Sequence, residues 1–270
     1  MKDIDHYALL GNPVSHSRSP FIHTEFARQT GEKIIYSAIH VALDGFAEAL
    51  DHFQAQGGKG INITTPFKQI AFPLVNSLSE RAKQAGAINT IQFHANGQRF
   101  GDNTDGIGLV RDLTIHQKIK LANKRILILG AGGAARGILG PLLAEDPAEI
   151  IIANRTPDKA FVLAKLFTHL GSVRACSLFM LGNTSFDLVI NATSAGLHGE
   201  IVSLPDNVLK NAFCYDIAYG QALLQQAQKQ GARACCDGLG MLIEQAAESF
   251  YLWRHVRPET HAIFEILSSA

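Results

Sequence analysis

The chain has 270 residues, 47% of them hydrophobic, and its 24 basic and 24 acidic side chains give a formal net charge of zero. This length favours two domains rather than one. The balanced charge, without a long basic run, argues against a nucleic-acid or membrane-surface partner. Every apolar run is interrupted before it could span a membrane, and acidic residues stand where a signal peptide would be basic. We therefore expect a cytoplasmic protein.

The cysteines and histidines show no metal-ligand pattern. No CxxC pair and no HExxH-like pair occurs among the four cysteines and 11 histidines. We expect reduced, partly buried thiols and neither a metal site nor a disulfide. The cysteines are Cys176, Cys214, Cys235 and Cys236.

Short apolar runs alternate with helical periodicity in the first hundred residues. This alternation is typical of βαβ units, and it predicts an α/β fold with a largely parallel sheet. Strands are predicted over 6–10, 34–41, 60–64 and 88–93, and helices over 20–30 and 44–56.

The segment GNPVSHSRSP (11–20) carries more hydroxyls than a helix start requires. Ser19, followed by Pro20, is predicted to cap the first helix. Ser15 and Ser17 alternate along a segment expected to be extended, so their hydroxyls would point the same way. Two such hydroxyls near helix N–H groups would receive a small carboxylate and orient it.

The segment KGINITTPFKQ (59–69) ends a strand with polar residues. A helix is predicted to begin at Pro66, with Thr65 as its cap, which leaves Asn62 and Thr64 without a structural role. Lys68 would then lie at the helix end that disfavours cations. A solvated surface lysine is the ordinary alternative, but this position favours a lysine near a ligand.

A second polar cluster, Asp102-Asn103-Thr104-Asp105, precedes another predicted helix, although one residue suffices as a cap. A lysine paired with an aspartate is a common way to hold a proton donor beside a hydroxyl or carbonyl. Taken alone, either residue, Lys68 or Asp105, would be interpreted as structural. Together they predict a catalytic pair, and we expect their side chains to meet.

From Arg125 onward, near-continuous aliphatic runs predict buried parallel strands over 125–130, 149–154, 187–193 and 213–219. The first run leads through Gly130-Ala131-Gly132-Gly133-Ala134-Ala135 into a helix. Glycines there permit a tight turn and the approach of a pyrophosphate, which the helix N-terminus attracts. A purely structural glycine turn is the alternative. The strand–turn–helix context favours a dinucleotide site.

The residues after the next strand select the dinucleotide. An NAD site has an acidic residue there, whereas this chain has Asn154, Arg155 and Thr156, with Lys159 one helical turn later. Because Arg binds phosphate through its planar fork, the sequence predicts NADP(H). A helix cap at Thr156 is the structural alternative, and both roles are compatible. A further motif, NATSAG (191–196), ends another strand and suits the edge of a nicotinamide site.

The segment from 237 to 253 predicts a helix with one apolar stripe. Gln245 lies off this stripe and is expected to face a cleft. The stripe comprises Leu239, Leu242, Ile243, Ala246, Phe250 and Trp253.

These motifs, taken in order, resemble the shikimate dehydrogenase family over nearly the whole chain. The matching stretches are GNPVSHSRSP, KGINITTPFK, GAINT, GDNTDG, GAGGAAR, NRT, NATSAG and DGLGMLIEQA. The resemblance implies reversible, NADPH-dependent reduction of 3-dehydroshikimate to shikimate on the chorismate pathway of aromatic amino-acid biosynthesis. It also implies an N-terminal substrate domain, 1–105 plus 240–270, and a Rossmann-like NADP-binding domain, 106–239.

The resemblance further implies a role for each matching residue. Lys68 and Asp105 match the catalytic pair. Ser15 and Ser17 match the carboxylate site, and the other substrate ligands match Asn62, Thr64, Asn89, Tyr219 and Gln245. The pyrophosphate loop matches Gly130, Ala131, Gly132, Gly133 and Ala134, and the adenosine-phosphate pocket matches Asn154, Arg155, Thr156 and Lys159. The nicotinamide neighbours match Thr193, Ile217, Gly238 and Met241.

Two positions depart from the family pattern. Gly220-Gln221 replaces a longer Thr-Pro loop, which affects the placement of Tyr219. Lys159 stands where the family often has arginine, which would weaken bidentate phosphate binding.

The sequence is compatible with two other functions. One is an NAD-linked quinate/shikimate dehydrogenase, which Arg155 and the absent acidic residue disfavour. The other is a non-catalytic NADP-binding sensor, which the retention of both Lys68 and Asp105 disfavours. A monomer and a homodimer are both compatible with the sequence.

Overall fold

The computed structural model describes residues 4–182, 184–193, 202–205, 207–217 and 221–269. The chain divides into two compact units. The first comprises 1–108 and 242–270, and the second comprises 109–241.

The first unit contains a mixed sheet with helices. Its strands are β1 (Asp5–Gly11), β2 (Ile34–His40), β3 (Gly60–Ile63), β4 (Ser77–Leu78), β5 (Thr90–Phe93) and β6 (Arg99–Asp102). Its helices are α1 (Ser19–Thr30), α2 (Phe46–Ala55), α3 (Glu80–Ala85) and the start of α4 (Asp105–Arg111). The first unit also includes most of α8 (Leu239–Arg254) and all of α9 (His261–Ser268).

The sheet order is β2-β1-β3-β5-β6-β4. β1 pairs in parallel with β2 and β3, as the sequence predicts, but β5 runs antiparallel to both β3 and β6. The connection from β5 to β6 is a short turn closed by a hydrogen bond from Gly97 N–H to the His94 carbonyl, with Gly97 at φ 83°. Because a short turn can join only antiparallel strands, this part of the sheet departs from the parallel prediction.

The prediction that a helix begins at Pro66 is wrong, because residues 65–70 form turns. Pro66 has no N–H to donate, and the Lys68 carbonyl accepts a hydrogen bond from Ile88 N–H instead of from a later residue of its own segment. Phe67 is fully buried and stacks on Phe46, which anchors the turn. The helix-dipole argument for Lys68 therefore does not apply.

The serines before α1 also differ from their prediction. Residues 14–17 form a turn, closed by a hydrogen bond from Ser17 N–H to the Val14 carbonyl, and are not extended. Ser19 is the first residue of α1 and not its cap. The Ser17 hydroxyl accepts a hydrogen bond from Ser19 N–H at 3.2 Å, so Ser17 satisfies one free donor of the helix start.

The second unit is a doubly wound α/β layer structure. Its strands are β7 (Arg125–Leu129), β8 (Glu149–Asn154), β9 (Val173–Ser177), β10 (Leu188–Asn191), β11 (Phe213–Asp216) and β12 (Ala234–Asp237). Its helices include α5 (Gly133–Leu143), α6 (Pro157–Phe167) and α7 (Gln221–Lys229).

These strands pair in parallel in the order β12-β11-β10-β7-β8-β9. Read from β9, this is the strand order 3-2-1-4-5-6 of a dinucleotide-binding fold. Successive strands are added in one direction from β7 to β9 and in the opposite direction from β10 to β12. The predicted fold class is confirmed. No helix in the described part of the chain is both long and apolar enough to cross a membrane.

Candidate active site

The Lys68 amine and the Asp105 carboxylate lie in contact in the first unit. Lys68 Nζ is 2.5 Å from Asp105 Oδ2, although 37 positions separate them in the chain. Lys68 follows β3 in a turn, and Asp105 begins α4. The side chain of Lys68 is 22% exposed and that of Asp105 is 6% exposed. The Lys68 side chain is therefore partly accessible, whereas the carboxylate that binds its amine is buried.

Asn89 fixes the other oxygen of the same carboxylate. Its Nδ2 donates to Asp105 Oδ1 at 2.8 Å and to Thr104 Oγ1 at 2.9 Å. Its Oδ1 accepts a hydrogen bond from Thr104 N–H at 2.8 Å. These donors and acceptors leave one orientation for the amide, so Asn89 orients Asp105 as well as being a predicted substrate ligand.

Gln245 reaches this cluster from α8, off the apolar stripe as expected. Its Oε1 lies 3.2 Å from Asn89 Nδ2, and its Nε2 donates to the Leu242 carbonyl at 2.8 Å. Gly108 permits this approach, since a Cβ there would lie 2.7 Å from the Gln245 backbone nitrogen. The glycine thus brings α4 and α8 together at the cluster.

Asn62 is buried, and its side-chain amide forms hydrogen bonds with other protein groups. The Tyr36 hydroxyl donates to its Oδ1 at 2.8 Å, and its Nδ2 donates to Ser249 Oγ at 3.0 Å. Thr64 is half-buried, with its methyl group against Gly11. Ser15 is exposed and Ser17 is half-buried. The roles of these four residues toward a substrate stay predictions.

Part of the polar cluster before α4 has a structural role that the sequence did not reveal. Asp102 is buried and binds Arg81 through two hydrogen bonds, of 2.7 and 2.5 Å. Asn103 donates to the Ala87 carbonyl at 3.0 Å and accepts from Asp105 N–H at 3.2 Å. Because these residues anchor the turn, Asp105 is the member of the cluster that remains for chemistry.

The glycine loop of the second unit follows β7 as predicted. Gly130 has φ 104°, which favours glycine, and a Cβ there would lie 3.0 Å from Thr193 Cγ2. Nothing lies within 4 Å of a Cβ built on Gly132 or Gly133. The cap of α5 is Gly132, which has no side chain to satisfy the first N–H groups. Open space beside the uncapped start of α5 suits a pyrophosphate.

The segment after β8 presents polar side chains at the same edge of the sheet. Arg155, Thr156 and Lys159 are exposed, and Asn154 Nδ2 donates to the Thr156 carbonyl at 2.8 Å. Thr156 occupies the cap position of α6, but its side chain makes no capping hydrogen bond. Its hydroxyl is therefore available for a phosphate.

The residues matched to the nicotinamide neighbourhood follow β10, β11 and β12. Thr193 Oγ1 donates to Asn191 Oδ1 at 2.7 Å, and Ile217 N–H donates to the Asn191 carbonyl at 3.0 Å. A Cβ on Gly238 would lie 2.6 Å from the Ile217 carbonyl oxygen, so these segments touch. Tyr219 lies outside the described residues.

Two cavities, of about 350 and 270 Å³, lie elsewhere in the second unit. They border the amino ends of the strands, where Phe213 and Ala234 line the first and Arg125 lines the second. The glycine loop lies at the carboxyl end of β7. These cavities are therefore separate from the candidate cofactor site.

Known families match the chain along most of its length. The family described as the shikimate dehydrogenase substrate binding domain matches residues 9–91. The one described as shikimate / quinate 5-dehydrogenase matches 113–219, and the shikimate 5'-dehydrogenase C-terminal domain matches 238–263.

Individual relatives and solved structures agree. The chain is 52% identical over 270 residues to a shikimate dehydrogenase (NADP(+)) of Nitrosospira multiformis, covering 98% of each chain. An Ael1 enzyme from Pseudomonas putida is 45% identical with a TM-score of 0.91, over 97% of this chain and 98% of that one. The Thermus thermophilus shikimate 5-dehydrogenase in complex with NADP(H) and shikimate is 30% identical with a TM-score of 0.86, over 98% and 99%. Family matches in both units and relatives that cover nearly the whole chain lead to one conclusion: the chain belongs to the shikimate dehydrogenase family.

Proposed function

We propose that this chain catalyses the reversible, NADPH-dependent reduction of 3-dehydroshikimate to shikimate in aromatic amino-acid biosynthesis. The observation that carries the proposal is the contact between Lys68 and Asp105 in a chain of this family. A non-catalytic NADP-binding protein would need neither side chain.

Bound NADPH supplies the hydride that reduces the ring carbonyl. Lys68 donates the proton to the carbonyl oxygen, which becomes the hydroxyl of shikimate, and the amine regains a proton from solvent through its exposed part. Asp105 holds the amine in place, and Asn89 holds Asp105 in place. In the reverse direction the amine first releases a proton to solvent and then accepts the hydroxyl proton.

The remaining substrate contacts are assigned by residue type. The hydroxyls of Ser15 and Ser17 would bind the carboxylate, while Thr64, Asn62, Asn89, Gln245 and Tyr219 would hold the ring hydroxyls or carboxylate. Gln245 already lies beside Asn89, which supports its assignment to the same site. These contacts bind and orient the substrate and do not transfer protons.

The cofactor contacts follow from the second unit. The loop from Gly130 to Ala134 would hold the pyrophosphate at the start of α5, which no side chain caps and where Gly132 and Gly133 border open space. Asn154, Arg155, Thr156 and Lys159 would bind the adenosine phosphate, since they present polar groups and no carboxylate at the end of β8. This arrangement favours NADPH over NADH.

The proposal extends to organisation and location. Residues 1–105 with 240–270 would bind the substrate, and 106–239 would bind NADP(H). We further propose a cytoplasmic monomer or homodimer with reduced thiols and no nucleic-acid partner.

The direct test measures dinucleotide reduction at 340 nm. Shikimate with NADP⁺ and quinate with NAD⁺ are compared at equal concentrations, with measured NADPH binding as the control for a folded cofactor site. A faster rate with shikimate and NADP⁺ supports the proposal. A faster rate with quinate and NAD⁺ favours the quinate alternative, and no rate despite NADPH binding favours a sensor.

A further inference from the structure

Two N–H groups in the first turn of α8 donate to side chains from outside the helix. The first N–H groups of any helix lack partners within it. Leu239 N–H donates to Asp237 Oδ1 at 3.1 Å, and Met241 N–H donates to the Tyr215 hydroxyl at 3.2 Å. Tyr215 belongs to β11, so a strand side chain fixes the first turn of α8.

Asp112 fixes the direction of the Tyr215 hydroxyl. The phenol donates its single hydrogen to Asp112 Oδ2 at 2.5 Å, which leaves a lone pair toward Met241 N–H. Burial, together with the nearby Asp112 charge, raises the pKa of Tyr215 well above its ordinary value, so the phenol keeps this proton. Asp112 is itself fully buried and accepts a second hydrogen bond, from Gln117 Nε2 at 3.2 Å.

Two glycines, Gly238 and Gly240, allow the start of α8 to lie close to Ile217 and Asp112. A Cβ on Gly240 would lie 2.2 Å from Asp112 Cγ, and a Cβ on Gly238 would lie 2.6 Å from the Ile217 carbonyl oxygen. Neither position has room for a side chain. The segment 238–241 therefore makes two hydrogen bonds, and its two glycines lie close to the Asp112 side chain and to the Ile217 carbonyl.

We propose that Tyr215 and Asp112 are positioning residues for the reaction: they fix Met241 and Gly238, and through them the nicotinamide end of bound NADPH. This inference rests on the proposed function, which places Gly238 and Met241 beside the nicotinamide. Neither Tyr215 nor Asp112 has a place in the substrate or cofactor contacts assigned above. A Phe at 215 would pack equally well in the strand but would leave Met241 N–H without its acceptor.

The test uses Tyr215→Phe, with Tyr7→Phe as the matched control. Tyr7 is also a buried tyrosine, and its hydroxyl oxygen accepts a hydrogen bond from Arg254 Nη1 at 3.2 Å, but it lies in the first unit. The first readout is amide hydrogen exchange at Met241 in the protein without ligands. The second is the single-turnover rate of NADPH oxidation, with the KM for 3-dehydroshikimate measured in parallel.

Tyr215→Phe is expected to speed exchange at Met241 about tenfold and to slow the single turnover by a similar factor, since one hydrogen bond is lost. The KM for 3-dehydroshikimate should stay within about twofold, because the substrate contacts are untouched. Tyr7→Phe should change none of these quantities.

Unchanged exchange, an unchanged single-turnover rate, a raised KM for 3-dehydroshikimate, or the same effects in Tyr7→Phe would each overturn the inference. If Tyr215→Phe does not fold, Asp112→Asn replaces it, because a neutral acceptor weakens the bond that directs the hydroxyl. Asp112→Asn is then expected to speed exchange at Met241 and to slow the single turnover, each about threefold. If neither quantity changes, the inference is overturned. A wild-type chain that oxidises no NADPH with 3-dehydroshikimate would instead refute the proposed function, while the exchange experiment would still test the contact.

Discussion

Asn89 donates a 2.8 Å hydrogen bond to Asp105 Oδ1, the oxygen that Lys68 does not contact. The same amide accepts the N–H of Thr104. We predict that Asn89→Ala lowers the free energy of unfolding by about 3 kcal/mol, because it leaves several buried polar groups without partners. Turnover should also fall, since Asp105 loses its support. Urea unfolding and steady-state rates measure the two effects.

Asn96→Ala is the control for this prediction. Asn96 is exposed, and its side chain makes one turn hydrogen bond, to Gln98 N–H at 3.1 Å. Its loss should cost at most about 0.5 kcal/mol. Equal destabilisation by the two substitutions would show that Asn89 has no special role.

The two glycines of the cofactor loop should respond differently to alanine. Gly130→Ala is strained by φ 104° and by the contact with Thr193, so it should destabilise the protein by about 1–3 kcal/mol. Gly132→Ala meets open space at φ −92° and should leave stability unchanged, yet raise the KM for NADPH because a methyl group occupies the pyrophosphate position. Thermal unfolding and NADPH titration separate the two. A normal KM for Gly132→Ala would place the pyrophosphate elsewhere.

Cofactor preference should depend on two exposed cations. Arg155→Ser is expected to raise the KM for NADPH about tenfold and to leave the KM for NADH nearly unchanged, because only NADPH carries the phosphate. Lys159→Arg is expected to lower the KM for NADPH, since a planar fork binds phosphate through two hydrogen bonds. Equal changes toward both dinucleotides would contradict the assignment of these residues to the phosphate.

The buried His23 should make stability depend on pH. Its ring stacks on Tyr36 with centroids 4.2 Å apart, and burial lowers its pKa from 6.5 to about 3, with Asn62 opposing the shift. The folded chain therefore binds this proton less readily than the unfolded chain. The resulting stabilisation is complete above pH 6.5 and is lost as pH falls toward 3, at about 1.4 kcal/mol per pH unit.

His23→Leu removes the titrating group and should flatten that part of the stability profile. Urea unfolding between pH 4 and 8 compares the two proteins. Parallel profiles would show that His23 does not remain neutral in the folded state.

The sequence was sufficient where hydrophobic pattern and turn chemistry agree. The run 125–130 and the glycines after it led to β7 and the loop before α5. It failed for β9 and β12, which lie at the edges of the second sheet and carry mixed residues such as those of RACS and ACCD. Edge strands bury less surface, so their pattern of hydrophobicity is weak.

The site shows the same division. The residue types alone predicted that Lys68 and Asp105 would meet. The turn at Pro66 was not predicted, because it depends on a hydrogen bond from Ile88 N–H to the Lys68 carbonyl, between residues distant in sequence. Tyr215 lies in an apolar strand and was indistinguishable from a core aromatic. Its hydrogen bonds to Asp112 and Met241 join three separate segments, and no local pattern reveals them.

The most direct test of the account compares kcat and KM for wild type, Lys68→Ala and the control Lys59→Ala, with shikimate and NADP⁺. Lys59 is an exposed lysine nine positions earlier. The account predicts that Lys68→Ala lowers kcat by about 10²–10⁴-fold with little change in the KM for shikimate, and that Lys59→Ala has no effect. A kcat near wild type for Lys68→Ala would contradict it.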